Sequence, residues 1–395
     1  MIKPSTNNQI NDKAGVVCIL IGLLIGRYMM IRPNRIENGA LLNFTTALGS
    51  TSVLFGAVFV ALLIIMYLIH TKRTDKNWLM VPASILSFGV FIITTGLTAS
   101  HHIVGMGSSA RVSLGMSFWL MFAGFLLIMV QAVTLSARPH LTRLILLIAV
   151  ILIIGLGYTS GILKDISILK ELNSKSDRIW DEMIRHLQLA VFSTLSGLIL
   201  SLALAYRAYR KPSLEGFIKT FVNIAQVIPT LSFLGLIMIP LTALSNSFPW
   251  LKSIGISGIG FFPAYIVLTM YTLLPMTNNI LAGLKSIDKN ILQAAAGMGM
   301  TRRQQLFQVE MPLALPSIYA GFRTALVQSV GNTILAGLVG GGGMGSILFL
   351  GLAQSAQDLV VISALLVVSI AFILNTGLSV LEPLLRKRIT GEINL

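Results

Sequence analysis

The chain has 395 residues, of which 55% are hydrophobic and only 11% are charged, yet its formal net charge is +15. Soluble proteins are typically about 25% charged, so this composition excludes a disordered chain and an ordinary soluble enzyme. A nucleic-acid-binding protein clusters basic residues on a polar face, whereas here they fall in short breaks between long apolar runs. The composition therefore predicts an all-α, polytopic membrane protein with no nucleic-acid partner.

Ten apolar runs are long enough to be membrane spans, because a helix needs about 20 residues to cross the hydrocarbon core. The runs cover 14–31, 47–69, 79–99, 112–135, 143–162, 185–206, 217–244, 259–284, 315–338 and 359–381. The first run contains no small-residue cleavage site before it ends, so we expect it to be retained rather than removed as a signal peptide.

A polar stretch between the fifth and sixth runs carries five of the fourteen acidic residues and predicts a domain boundary. An N-terminal membrane block of five helices, with no motif that indicates its role, is expected over 1–162. A polar linker outside the cytoplasm is expected over 163–181, a second membrane block over 182–385 and a cytoplasmic tail over 386–395.

The basic residues of the short loops predict the orientation, because Lys and Arg are enriched on the cytoplasmic side of a membrane protein. If the N-terminus lies inside, 18 of the 29 basic residues fall in cytoplasmic segments and 10 in outside segments. Both termini are therefore expected in the cytoplasm.

Several kinds of chemistry are disfavoured by the residues of the spans. No Asp or Glu lies within the body of a run, which argues against a carboxylate proton relay, although sodium held by backbone carbonyls remains open. The glycine run 340–345 lacks the Lys-Ser/Thr of a P-loop. His101 and His102 are expected in an outside loop, either solvated or with a metal or pH role. We predict no catalytic residue and no metal site.

The segment 285–316 differs from the other loops, since it combines helix caps, glycines and prolines between two spans. Asp288 can accept a hydrogen bond from the first turn of a helix that continues to Met298. Gly297 and Gly299 are expected to end or bend this helix, since glycine readily adopts a left-handed conformation.

A second helix is predicted to begin at Thr301, which forms a capping-box pattern with Gln304. Pro312 and Pro316 are expected to stop this helix and to restart the chain into the membrane. Two short helices at a sharp angle would suit docking to another protein. The alternative is an ordinary amphipathic loop.

This segment resembles the cytoplasmic signature of ABC importer permeases, in which Glu-Ala-Ala is followed by glycine, an apolar residue and Leu-Pro. The matching positions are Gln293, Ala294, Ala295, Gly299, Leu306, Pro312 and Pro316. Gln293 replaces the signature Glu, and Met311 replaces the first Leu. Gln keeps the length and the hydrogen bonding of Glu but not its charge. The resemblance implies that residues 288–312, here called the coupling loop, form helices that sit in a groove of a separate ATPase subunit.

The resemblance covers about 182–385 and is similar in detail to the glycine betaine/choline-type osmoprotectant permeases. Its basis is the residues 223–232, 320–333 and 338–345. The chain looks like the long permease subunit that has additional N-terminal membrane helices. This implies a type I importer core that forms the path for a small osmoprotectant such as glycine betaine, in the bacterial cytoplasmic (inner) membrane.

The same resemblance implies a set of partners. These are an ABC ATPase dimer that carries ATP and Mg, a second permease subunit in a homo- or heterodimer, an extracytoplasmic solute-binding protein and membrane lipid. No cofactor is implied on this chain. ATP binding would open the core spans outward, and hydrolysis would reset them.

Five residues are candidates for the translocation path, each with an alternative role. They are Gln226, Pro229, Arg323, Gln328 and Asn332. Pro229, like Pro240, Pro263 and Pro275, either breaks a helix so that backbone groups line a cavity or only kinks it. Arg323 could snorkel to the interface, brace a neighbouring helix or attract a substrate carboxylate. The three amide side chains could instead form hydrogen bonds between helices.

The glycine run 340–345 is predicted as a close backbone turn before a short re-entrant or interfacial helix over 346–356, rather than as a ligand site. Two other functions remain open from the sequence. An ion-coupled secondary carrier would move the same solutes without an ATPase, and a membrane scaffold would move none.

Overall fold

The computed structural model describes residues 6–24, 26–34, 37, 39–51, 53–61 and 79–390. Helices account for most of these residues, so the all-α prediction is confirmed. The chain divides into two compact units, Met1–Ser174 and Lys175–Leu395.

The first unit contains seven described helices, which are α1 (Thr6–Leu24), α2 (Phe44–Leu48), α3 (Val53–Ala61), α4 (Met80–Ile103), α5 (Met116–Thr134), α6 (Pro139–Thr159) and α7 (Ser167–Ser174). Helix α1 packs closely on α5 through glycines. A Cβ atom on Gly22 would lie 3.0 Å from the carbonyl oxygen of Ser117, and one on Gly124 would lie 2.7 Å from that of Gly15. Small residues allow such close helix packing in membrane proteins.

A small antiparallel sheet in this unit was not predicted. Its strands are β1 (Met29–Arg32), β2 (Ala40–Leu42) and β3 (Arg111–Leu114), in the order β2-β1-β3. The first predicted span therefore stops early: α1 ends at Leu24, and the chain turns at Gly26, whose φ is +109°, before it enters β1. The fourth predicted span likewise begins later, at Met116, because β3 occupies its first residues.

The second unit contains the other helices: α8 (Ser176–Arg210), α9 (Pro212–Val227), α10 (Thr230–Ser247), α11 (Trp250–Ser253), α12 (Phe261–Lys285), α13 (Lys289–Gly297), α14 (Arg302–Gln304), α15 (Met311–Asn332), α16 (Met344–Ala353) and α17 (Gln357–Thr390). Helix α12 lies at the centre and packs against α8 and α15. Small residues allow these contacts, since a Cβ atom on Gly197 would overlap Thr272 Oγ1, at 1.9 Å.

Seven helices of the described ranges are long and apolar enough to cross a membrane, or up to nine if each of two bent helix pairs is one span. These nine correspond to the second through tenth predicted spans. The remaining one, the first, corresponds to a shorter apolar helix over Ala14–Leu24 among the described residues. Residues 62–69 of the second predicted span lie outside the described residues.

The polar stretch expected as a linker over 163–181 is largely helical, since it contains α7 and the beginning of α8. Its charged residues form ion pairs within the first unit. Glu171 pairs with Arg111 at 2.7 Å, and Asp165 pairs with Lys170 at 3.2 Å. At the other end, α17 continues to Thr390, so the tail expected from residue 386 begins as helix.

His101 and His102 lie in the last turn of α4 and not in a loop. The ring of His102 is fixed by a hydrogen bond between Nε2 and the carbonyl oxygen of Ala47, at 2.7 Å. Within the described ranges, no group of three or more His, Cys, Asp or Glu side chains could hold a metal ion.

Candidate functional site

The first half of the coupling loop has the predicted caps. The carboxylate of Asp288 accepts a hydrogen bond from the backbone N–H of Asn290 at 2.8 Å, and α13 begins at Lys289. The helix ends at Gly297. Gly299 then turns the chain with a φ of +78°, a conformation that is costly for other residues. Both glycine predictions are confirmed.

The second half starts as predicted but continues differently. Thr301 and Gln304 form a reciprocal capping box at the start of α14. The prediction that Pro312 and Pro316 stop this helix is wrong. A π-helical turn over Gln305–Glu310 connects α14 directly to α15, which contains both prolines. The wider turn tolerates the missing N–H of Pro312, and such π-turns are frequent at functional sites.

The seven signature residues differ in exposure, which separates those available to a partner from those that hold the loop. Gln293, Ala294 and Gly299 are exposed, whereas Ala295 is buried within the chain. Leu306, Pro312 and Pro316 are half-buried at the base of α15. The two adjacent alanines therefore face different surroundings.

An ion pair that the sequence reading missed anchors the loop to α8. Glu310 is 1% exposed, and both of its carboxylate oxygens accept hydrogen bonds at 2.9 Å from one terminal nitrogen of Arg210. The guanidinium carbon also lies 5.2 Å from the ring centroid of Tyr206 and 5.5 Å from that of Tyr209. Contacts of a cation with aromatic faces add to the attraction of the carboxylate. This arrangement ties the last residue of α8 to the π-turn.

A second, exposed charge network joins α9 to the end of α12. Glu215 is bridged by Lys219 at 2.8 Å and by Lys285 at 2.7 Å. Hydrogen bonds from Lys219 and then Lys285 lower the pKa of Glu215 from its ordinary 4.5 to about 2. The network is thus complete above pH 4.5 and is lost only as the pH falls towards 2, so it persists at physiological pH.

The coupling loop also exposes large apolar side chains. Met298 is 75% exposed, Phe307 is 61% exposed and Ile291 is 45% exposed. Exposed apolar residues beside charged ones are typical of a protein-binding surface. The basic residues Lys289, Arg302 and Arg303 surround them, and all three are exposed.

The caps give a direct prediction for this loop. Asp288→Ala removes the acceptor for the Asn290 amide and is expected to speed hydrogen exchange across Lys289–Gly297 about fivefold, as for the loss of one N-cap. Asp288→Asn keeps a capping oxygen and should exchange at nearly the wild-type rate. Equal exchange in the alanine variant and the wild type would show that the cap does not hold α13. Exchange is measured by mass spectrometry on the purified chain.

The path candidates do not form one polar cluster. Gln226 donates a hydrogen bond from Nε2 to the carbonyl oxygen of Tyr271 at 2.9 Å, which joins α9 to α12. Gln328 and Asn332 both lie half-buried on α15. In the described ranges, no hydrogen bond joins Gln226 to either of them or to Arg323. Of the two roles considered for Gln226, the hydrogen bond between helices is the one observed.

Arg323 braces a neighbouring helix, which was one of its three expected roles. Its terminal nitrogen lies 2.6 Å from Glu382 Oε2 on α17. Of the four prolines, Pro229 lies at the helix break between α9 and α10, Pro240 and Pro275 lie inside α10 and α12, and Pro263 lies in the first turn of α12. Glu382 is the last residue of its candidate span, and Glu182 lies three residues before the sixth predicted run, so neither acid lies within the body of a run.

Comparison with known proteins identifies the family. Residues 197–391 match the family described as binding-protein-dependent transport system inner membrane component. Residues 12–169 match the N-terminal domain of the ABC transporter permease YehY. A permease protein of Bacillus subtilis, OpuCB of the glycine betaine/carnitine/choline transport system, is 34% identical over 197 residues, which are 50% of this chain and 83% of that protein. The chain belongs to the binding-protein-dependent ABC importer permeases.

A relative from a second organism points the same way. The osmoprotectant import permease protein OsmW of Salmonella typhimurium is 32% identical over 201 residues, which are 51% of this chain and 88% of that protein. As a member of this family, the chain is a multi-pass transport subunit of the bacterial inner membrane. Among solved structures, the MetNI methionine ABC transporter in an inward-facing conformation covers 53% of this chain and 96% of its own matched chain, with 21% identity and a TM-score of 0.45.

Proposed function

We propose that this permease forms the membrane path by which a small osmoprotectant, a quaternary amine such as glycine betaine or choline, enters the cell. The observation that carries the proposal is the agreement among its relatives, whose names include glycine betaine, carnitine and choline transport and osmoprotectant import. The path needs no catalytic group on this chain, since it has only to open and close.

The driving force comes from ATP and Mg bound to a separate ATPase dimer, which the coupling loop contacts. Three features support this contact: the exposed Gln293 and Ala294, the exposed apolar side chains of Met298 and Phe307, and the basic residues beside them. A surface with apolar side chains and a positively charged rim is complementary to an apolar groove with acidic residues at its edge.

The path is completed by a second permease subunit, and an extracytoplasmic binding protein delivers the solute. Recognition of a quaternary ammonium requires an aromatic cage, which we assign to the binding protein. Both termini lie in the cytoplasm, which the distribution of basic residues between the loops supports.

The decisive experiment is uptake by the assembled importer in sealed vesicles. The permease, its ATPase and its binding protein are reconstituted with radiolabelled glycine betaine, carnitine or choline outside and ATP inside. We expect accumulation of at least one solute that requires both ATP and the binding protein. Accumulation by the permease alone, driven by a sodium or proton gradient, would instead support a secondary carrier.

A further inference from the structure

The glycine-rich turn between α15 and α16 is a junction of several elements. A 3-10 segment, Thr333–Val339, continues α15, and α16 begins at Met344 at an angle of 55°. Three glycines of the turn have a positive φ: Gly340 at +72°, Gly342 at +82° and Gly343 at +83°. The amide of Gly260, at the start of α12, also donates to the carbonyl oxygen of Val339 at 2.8 Å.

Two side chains of α8 hold this turn in place. The carboxylate of Glu182 accepts a hydrogen bond from the amide of Gly343 at 2.6 Å. Nδ1 of His186 accepts one from the amide of Met344 at 3.3 Å. The other ring nitrogen of His186 lies 2.9 Å from the carbonyl oxygen of Val330 and therefore carries the ring hydrogen. One buried imidazole thus connects α8 to the end of α15 and to the start of α16.

The glycines are required for this approach. A Cβ atom on Gly343 would lie 3.2 Å from Nδ1 of His186 and 3.3 Å from its Cα, so a side chain there would push the two elements apart. The sequence reading predicted the close turn but not its partner on α8. We call the two side chains Glu182 and His186, with the amides of Gly343 and Met344, the turn latch.

The turn latch lies at the opposite end of the permease core from the coupling loop. His186 and Arg210 are separated by 24 residues of one continuous helix, which is about 36 Å at 1.5 Å per residue. Arg210 pairs with Glu310 next to the π-turn, and the helix that starts at Arg302 runs on to Val339. Two continuous helical segments, α8 and Arg302–Val339, therefore both run from the coupling loop to the turn latch.

We propose that Glu182 and His186 are positioning residues for gating: the turn latch keeps the end of the path remote from the ATPase closed, and nucleotide-driven movement of the coupling loop releases it. This inference rests on the proposed function as an ATP-driven importer. A hydrogen bond that a charged carboxylate accepts is strong enough to hold one arrangement and weak enough to exchange for another.

The two latched amides provide the measurement. Hydrogen exchange over 341–346 is followed by mass spectrometry in the assembled importer, both without nucleotide and trapped with ATP and vanadate. In the wild type we expect slow exchange without nucleotide and about tenfold faster exchange after trapping, the shift that corresponds to one hydrogen bond to a charged group. A purely structural role would give slow exchange in both states.

Variants of the latch test the residues themselves. Glu182→Leu and His186→Leu should exchange rapidly in both nucleotide states and should raise ATP hydrolysis in the absence of binding protein. Glu182→Gln, whose amide oxygen can still accept from Gly343, should restore part of the protection. The matched control is Asp181→Leu, because Asp181 is an exposed acid one residue away.

Two results would overturn the proposal. One is exchange at 341–346 that does not depend on nucleotide in the wild type, and the other is wild-type exchange in both leucine variants. The solute is tested separately, since an importer that shows nucleotide-dependent exchange but takes up no quaternary amine would refute the proposed substrate and leave the latch intact.

Discussion

Glu310→Ala is expected to lower the thermal stability of the permease and to uncouple ATP hydrolysis from uptake. The substitution removes the carboxylate to which the Arg210 guanidinium donates two hydrogen bonds. Removal of one partner of a buried ion pair typically costs about 3 to 5 kcal/mol, and the cost here is expected at the lower end of that range because the remaining Arg210 side chain is 23% exposed. The π-turn would also lose its attachment to α8, so movement of the coupling loop would no longer be transmitted. Thermal unfolding and the ratio of solute imported to ATP hydrolysed measure the two effects.

A double variant separates the two effects. Arg210→Leu combined with Glu310→Leu removes both charges, and an apolar replacement of a buried pair often restores stability. We expect the unfolding temperature to return towards that of the wild type while coupling remains low. The matched control is Glu215→Ala, because the two lysine bridges of Glu215 are largely exposed and surface ion pairs contribute little. Wild-type stability and coupling in Glu310→Ala would contradict this role for the pair.

The local features of the coupling loop were predictable because their causes lie within a few residues. The cap at Asp288 depends on a donor two residues away, and the box at Thr301 depends on Gln304, three residues away. The Glu310–Arg210 pair could not be found in this way. Its partners are 100 residues apart, and only the packing of α8 on α15 brings them together. The only hint in the sequence was that Glu310 is a single acidic residue just before an apolar span.

The small sheet was missed for a related reason. Met29–Arg32 continues an apolar run and resembles the end of a span, since its first three residues are all apolar and show no alternation with polar ones. Its partner β3 lies about 80 residues further along the chain, where Arg111 pairs opposite Arg32. Strand pairing of this kind is decided by tertiary contacts and has no local pattern.

The prolines show that a local rule can also be overridden. Proline removes one helical hydrogen bond and collides with the preceding turn, which is why Pro312 and Pro316 were expected to end the helix. Here the π-turn over Gln305–Glu310 widens the helix just before Pro312, and the buried side chain of Glu310 fixes that turn. The sequence predicted that the helix ends at these prolines, whereas in the structure the helix widens into a π-turn and continues.

Substitutions of Gly299 are expected to uncouple transport in an order that is set by backbone conformation. Its φ of +78° is costly for residues with a side chain, by about 1 to 2 kcal/mol, whereas Asn adopts it more readily. No atom lies within 4 Å of the position that a Cβ atom would take there, so the chain itself presents no steric barrier. Coupling should therefore fall least in Gly299→Asn, more in Gly299→Ala and most in Gly299→Val. It is measured as solute imported per ATP hydrolysed by the assembled importer.

The chain provides two matched controls for this series. Gly299→Asp has nearly the same shape as Gly299→Asn, so any further loss in the aspartate variant reports its negative charge on the partner-facing surface. Gly297 is the last residue of α13 and also has open space around it, but its φ is not positive. Gly297→Ala should therefore leave coupling intact and stabilise α13, because alanine favours a helix over glycine by about 1 kcal/mol. If Gly299→Val couples normally, or if both alanine variants behave alike, the turn at Gly299 is not what positions the loop against the ATPase.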